Sequence, residues 1–135
     1  MYRQVDFNLL RTQVHSRANG KLFSVEQGHP GLFDFKRVFF IQGKAGIKRG
    51  EHAHKACTQW ISVLSGSISI ILKDGSHVNK IDLHEFGELL IVPPGIWVEI
   101  DFLEPSVVAV GADMAYEESD YIREWSIFME FKAKL

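Results

Sequence analysis

Cysteine is nearly absent from this chain: Cys57 stands alone, so no internal disulfide can form, and no CxxC pair or Cys/His cluster offers structural zinc or redox chemistry. That usage fits a reducing compartment, and the cytoplasm is the expected location. An excess of either charge is missing too. Lys+Arg 15 against Asp+Glu 17 leaves a formal net charge of -2, which gives no general attraction to a polyanion, and no basic patch stands out. No nucleic-acid partner is expected. Long apolar runs are also lacking, and the opening MYRQVDFNLLRTQVHSRANG is broken by charges and has no small-residue cleavage site. The sequence therefore predicts a soluble protein with neither signal peptide nor membrane span. It contains no internal repeat and no low-complexity tract.

What remains is a globular composition, 46% hydrophobic and 24% charged over 135 residues, enough for one core and too short for a multidomain enzyme. From Phe35 to about Ala112, short apolar or alternating runs are cut by turn residues, which predicts an all-β sandwich or barrel. Strands are expected at Phe35–Gln42, Thr58–Leu64, Ser67–Leu72, His77–Leu83, Leu89–Val92, Trp97–Phe102 and Val107–Gly111. Asp74-Gly75 should supply the positive φ angles of a tight hairpin turn, and Pro93-Pro94-Gly95 should reverse the chain. Ser119 can cap a helix with Asp120 in its first turn, and Ile122, Trp125 and Met129 follow at helical spacing, so a C-terminal helix is expected over about 119–133. The first 34 residues form an N-terminal segment in which Lys21–Glu26 could be an edge strand.

One segment carries chemistry. Gly46, then five residues, His52-Ala53-His54, Gln59 and Gly66 follow the spacing of the first cupin motif, with glutamine in the usual glutamate position. Gly87-ELLIV-Pro93-Pro94-Gly95-Ile96-Trp97 follows the second, with Val98 in place of its histidine. The chain thus resembles a cupin, the double-stranded β-helix or jelly roll. Residues two apart on a strand face the same way, so His52 and His54 can converge inside the barrel. Gln59 lacks the anionic oxygen and Val98 offers no donor, which leaves two imidazoles where a divalent cation wants three or four ligands. No metal and no cofactor are expected. Two imidazoles without a metal suit proton transfer next to a carbonyl, since imidazole titrates near neutrality. The structural alternative is a pair of hydrogen-bonded histidines in a polar barrel.

A narrower resemblance follows from RGEHAHK (Arg49–Lys55), Gln59, SGS (Ser65–Ser67), KDG (Lys73–Gly75), the PP-x-x-W ending at Trp97, and ESDYIR (Glu118–Arg123). Together these are similar to the sugar-nucleotide 3,4-ketoisomerases, which act on dTDP-4-keto-6-deoxyglucose in making 3-amino-3,6-dideoxy sugars. The resemblance runs from about Gly20 to Phe131 and implies a metal-free dimer that exchanges a strand between subunits. It implies His52 and His54 as the acid/base pair, with His54 preferred as the carbon base and His52 shuttling the oxygen proton. Arg49, Lys55 and Arg123 are candidates to hold a diphosphate, the alternative for Lys55 being plain solvation. Gln59 could hydrogen-bond a sugar hydroxyl, and Trp97 is either a wall of the sugar site or a core aromatic. Phe39-Phe40 stand where related isomerases commonly carry tyrosines, so Tyr116 or Tyr121 is expected to provide the hydroxyl. Two other readings stay open: a nucleotide-sugar-binding module without turnover, and a cofactor-free sugar-nucleotide epimerase. A metal-dependent dioxygenase is a distant further possibility.

Overall fold

The computed structural model describes residues 5–135; the first four residues of the expected N-terminal segment lie outside them. In chain order the strands are β1 (Asn8–Arg11), β2 (His15–Arg17), β3 (Gly20–Leu22), β4 (Arg37–Gly43), β5 (Lys48–His54), β6 (Gln59–Ser65), β7 (Ile68–Lys73), β8 (Val78–Leu83), β9 (Glu88–Val92), β10 (Trp97–Phe102), β11 (Ser106–Ala112) and β12 (Tyr121–Ile122). A short 3-10 turn (Glu118–Asp120) precedes β12, and helix α1 spans Trp125–Ala133. Two five-stranded sheets, β1-β9-β6-β11-β4 and β12-β5-β10-β7-β8, face each other as the all-β jelly roll requires.

Period-two alternation decides which side chains enter the space between the sheets. Ile61 and Val63 of β6 point into the main core with Ile70, Leu72, Ile100, Phe102 and Val108. Their neighbour Trp60 points the other way, onto a second apolar cluster with Leu89 and Ala109 that Phe23, Val25, Leu32 and Phe33 of the N-terminal segment cover. A third cluster of Ala53, Trp97, Ile122 and Phe128 sits beneath α1.

Each of the seven expected strands is present within two residues of its predicted ends. The hairpin at Asp74-Gly75 also forms, though its loop has four residues, since Lys73 still pairs with Val78. Among the described residues there, only Gly75 has positive φ. The Asp74 carboxylate closes the loop by accepting from the Ser76 and His77 amides at 2.8 and 2.6 Å.

Two expectations are corrected. Lys21–Glu26 is not an edge strand: strand structure ends at Leu22, in a small hairpin where His15–Arg17 pairs with Gly20–Leu22, because Phe23 and Val25 turn in to cover Trp60. Nor does the helix begin at Ser119. Tyr121 and Ile122 are extended and pair with His54 and Ala53 of β5, and Asp120 is buried at that junction. Tertiary pairing overrides the local helical pattern. The helix starts at Trp125 and buries Phe128, whereas Trp125 and Met129, the residues its spacing singled out, remain 41% and 39% exposed.

Candidate functional site

Strand β5 positions the site, and its geometry begins with a bulge. Val98 of β10 pairs with His52 while the adjacent Glu99 pairs with Gly50, so Glu51 has no opposite residue. Gly50 sits at φ 84° and Glu51 at φ 53°. A Cβ on Gly50 would meet the Val98 carbonyl oxygen at 2.9 Å, so only glycine fits against β10 without displacement. The extra residue shifts the alternation and lets Arg49 and His52, three apart, line one cavity.

That cavity, of about 440 Å³, is large enough for a small organic ligand. Arg37, Lys48, Arg49 and Arg123 on its wall outnumber the single carboxylate, Glu51. A chain with slight negative charge thus presents a locally cationic cavity suited to an anion. Apolar surface comes from Phe39, Phe40, Ile61, Val98 and Ile100.

The two imidazoles have different anchors. His52 Nδ1 lies 2.8 Å from the Gly50 carbonyl oxygen; a carbonyl can only accept, so Nδ1 carries the hydrogen and Nε2 keeps its lone pair. His54 Nδ1 lies 2.9 Å from Asp120 Oδ2, which fixes the same tautomer. Asp120 is itself satisfied, its other oxygen accepting from the Ala56 amide at 2.7 Å and its backbone carbonyl from the Lys55 amide at 2.9 Å. His54 Nε2 is buried without a hydrogen-bond partner among the described residues. Burial pushes the His52 pKa down to about 4, with the neighbouring His54 and Arg123 acting in the same direction against the Gly50 hydrogen bond. Burial also lowers the His54 pKa, while Asp120 opposes the shift. Both rings are neutral near pH 7.

Tyr121 packs against both, its ring centroid 5.0 Å from that of His52 and 4.3 Å from that of His54. Arg123 holds its guanidinium over the Tyr121 ring, 4.3 Å from the ring centroid. Its guanidinium donates two hydrogen bonds to Glu118, at 2.7 and 3.0 Å, and Tyr116 donates its hydroxyl to the same carboxylate. Behind the strand, the Gly95 amide of the Pro-Pro-Gly turn donates to the His54 carbonyl at 2.8 Å. The Gly95 carbonyl in turn accepts from Lys132 of α1 at 2.9 Å.

The ligand set customary in cupins does not fit here. His52 and His54 would be joined by Gln59, a neutral amide, and by Val98, an alkyl side chain facing the cavity next to His52.

Of the residues singled out in the sequence, the structure brings together His52, Arg49, Gln59, Tyr121 and Arg123 on the cavity wall, with His54 directly behind His52 and Tyr121. Lys55 and Trp97 are not on that wall. Trp97 packs edge-on against Trp125 and against Phe128, with its indole N–H donated to Glu99 at 3.2 Å; its place is in the packing beneath α1. Four functional residues escaped sequence reasoning. Arg37 and Lys48 are single cations on strands, with no pattern to mark them. Asp120 and Glu118 were legible as members of the ESDYIR string, and Asp120 as an acidic residue of a supposed helix start, with no sign that either would anchor a site residue.

Comparison with known proteins bears on this arrangement. Residues 5–133 match the family model described as FdtA: WxcM-like, C-terminal. The chain is 37% identical over 120 residues to the TDP-4-oxo-6-deoxy-alpha-D-glucose-3,4-oxoisomerase of Aneurinibacillus thermoaerophilus, a span covering 87% of this chain and 86% of that one. Its fold matches QdtA, a sugar 3,4-ketoisomerase from Thermoanaerobacterium thermosaccharolyticum solved with TDP, at TM-score 0.89 and 32% identity, covering 95% of each chain. It also matches WlaRA, a TDP-fucose-3,4-ketoisomerase from Campylobacter jejuni, at TM-score 0.85 and 25% identity, covering 95% of this chain and 96% of that one.

Proposed function

We propose a reaction from one premise: this chain belongs to the FdtA, WxcM-like C-terminal family. The reaction is 3,4-ketoisomerisation of a TDP-linked 4-keto-6-deoxyglucose, moving the ketone from C4 to C3 through an enediolate without a metal. The observation that carries it is the pair of adjacent neutral imidazoles, each with Nδ1 committed to an acceptor and a basic Nε2, beside a cationic cavity.

The chemistry needs a proton taken from C3, one delivered to C4 and one passed between the oxygens. His54 is the carbon base, because a buried carboxylate holds its tautomer and stabilises the imidazolium that forms. His52, on the cavity wall, shuttles the hydroxyl proton. Arg123 and Arg49 hold the diphosphate with Lys55 at the periphery, and Gln59 meets a sugar hydroxyl. Tyr121 fixes the planes of both rings and supplies the hydroxyl that Phe39 and Phe40 cannot. Trp97 acts on the sugar only through its packing.

The product carries a ketone at C3, the electrophile that an amine donor needs to install a 3-amino group, which places the enzyme in cytoplasmic deoxyamino-sugar synthesis for a surface glycan. The working unit is a homodimer with strand exchange. Its support is the edge of β4, unpaired among the described residues, on which Phe40 and Val38 remain 66% and 40% exposed.

The deciding experiment is an NMR time course of the purified chain with dTDP-4-keto-6-deoxyglucose in deuterated buffer containing EDTA. A 3-keto product with deuterium at C4 is the expected result. Exchange of deuterium into the sugar without ketone movement would replace the isomerase with an epimerase, and an unchanged spectrum with bound ligand would leave a binding module.

A further inference from the structure

His54 stands behind His52 and Tyr121, and its ring has a donor set of its own there. An imidazole nitrogen of His54, a carboxylate oxygen of Asp120 and the thiol sulfur of Cys57 lie within 4.8 Å of one another, and all three side chains are buried. Asp120 sits 2.9 Å from Nδ1, so Nδ1 is the nitrogen on this side. Cys57 follows β5 by three residues, whereas Asp120 arrives from 66 positions along the chain. The thiol donates to the Thr58 carbonyl at 3.4 Å, and the Asp113 carboxylate lies close to it. Burial pushes the Cys57 pKa up to about 11, so without a metal it is a protonated thiol and no nucleophile.

Imidazole nitrogen, thiolate sulfur and carboxylate oxygen are the donors zinc takes in four-coordinate sites, and three of them leave one position for water. We propose that His54 Nδ1, Cys57 and Asp120 form an inhibitory site for a thiophilic divalent cation of the zinc class. It differs from the customary cupin ligand set in joining His54, through Nδ1, to Cys57 and Asp120 instead of to His52. Binding balances simply: the Cys57 S–H proton leaves to solvent, the metal takes the Nδ1 lone pair, and the Nδ1 proton moves to Nε2. One proton is released per metal, and nothing is oxidised or reduced. The lone pair on Nε2 disappears in the same event, so the carbon base is switched off from behind. The inhibition, though not the binding, rests on the ketoisomerase reading.

The test is a titration of the metal-stripped full chain with Co²⁺, a coloured stand-in for zinc. A thiolate-to-cobalt charge-transfer band in the near ultraviolet should saturate at one equivalent, collapse when Zn²⁺ is added, and be missing from Cys57→Ser and Cys57→Ala. Circular dichroism of the two variants checks their fold, and either one that matches the parent suffices. On the same samples, Zn²⁺ should abolish turnover of the parent reversibly with EDTA and leave Cys57→Ser within about twofold of its metal-free rate. A cobalt spectrum without the thiolate band, or equal zinc inhibition in the parent and Cys57→Ser, overturns the site. A parent chain with no turnover at all would sink the ketoisomerase reading, while the cobalt band and its loss in the variants still decide the metal site.

Discussion

The two ends of β5 make opposite use of the same backbone. At the bulged end, Lys48–Glu51 is mostly exposed, two residues hold positive φ, and its cations line a cavity open to solvent. At the other end, beyond the bulge, His52 pairs with β10 and Ala53 and His54 pair with β12, and each imidazole is tethered by a hydrogen bond. Charge collects where the strand is irregular and exposed; the two imidazoles sit where it is more buried. The division has a physical cause, because cationic side chains keep their hydration where the strand is open, whereas an imidazole keeps a depressed pKa only when removed from water.

The sharpest way to break this comparison is at its buried end. His54→Ala should lower kcat by about a thousandfold while TDP affinity, measured by calorimetry, stays close to that of the parent chain. Comparable turnover in the variant would remove the acid/base role. Acid should also act on this end first. His52 has its pKa depressed from 6.5 to about 4 in the folded chain, so between those values the unfolded chain takes up a proton that the folded chain refuses. Stability is complete above about pH 6.5, is lost as pH falls toward 4 by about 3 kcal/mol from this group, and levels off below. Urea unfolding of the parent and His52→Gln across that range checks it, the variant losing less.

A subtler substitution tests how the tether works. In Asp120→Asn, the Ala56 amide keeps the side-chain oxygen as its acceptor, which turns the new NH₂ toward His54 Nδ1 and forces the opposite tautomer. The expected cost is about a hundredfold in kcat with KM little changed; a loss confined to KM would show that Asp120 serves only packing. The smallest effect belongs to the exposed, charged side of the comparison. Arg123→Ala should raise KM about tenfold, and more at low salt, with kcat nearly intact. A drop in kcat instead would move Arg123 from anchoring the diphosphate to holding Tyr121 against the histidines.

The legible parts of this molecule were those governed by short-range pattern. Alternation marked β6, β7 and β8, Asp74-Gly75 marked the hairpin between β7 and β8, and the His-x-His spacing placed both imidazoles on one strand. The opaque parts depend on partners far away in sequence. Residues 119–122 have the composition of a helix start, and only the docking of Tyr121 and Ile122 on β5 makes them extended. Asp120 gains its meaning from a ring 66 positions earlier, and Arg37 joins the cavity only because β4 closes the first sheet. Trp97, adjacent to a recognisable motif, faces α1 instead of the cavity because strand alternation sends Val98 inward in its stead.

Glu51 has a further consequence, in heat tolerance. Among the described residues it is the one non-glycine with positive φ, and an L-residue held there sacrifices about 1 kcal/mol that glycine would not. Glu51→Gly should therefore melt a few degrees higher than the parent chain, and the natural protein tolerates a lower melting temperature in exchange for a carboxylate at the mouth of a cationic cavity.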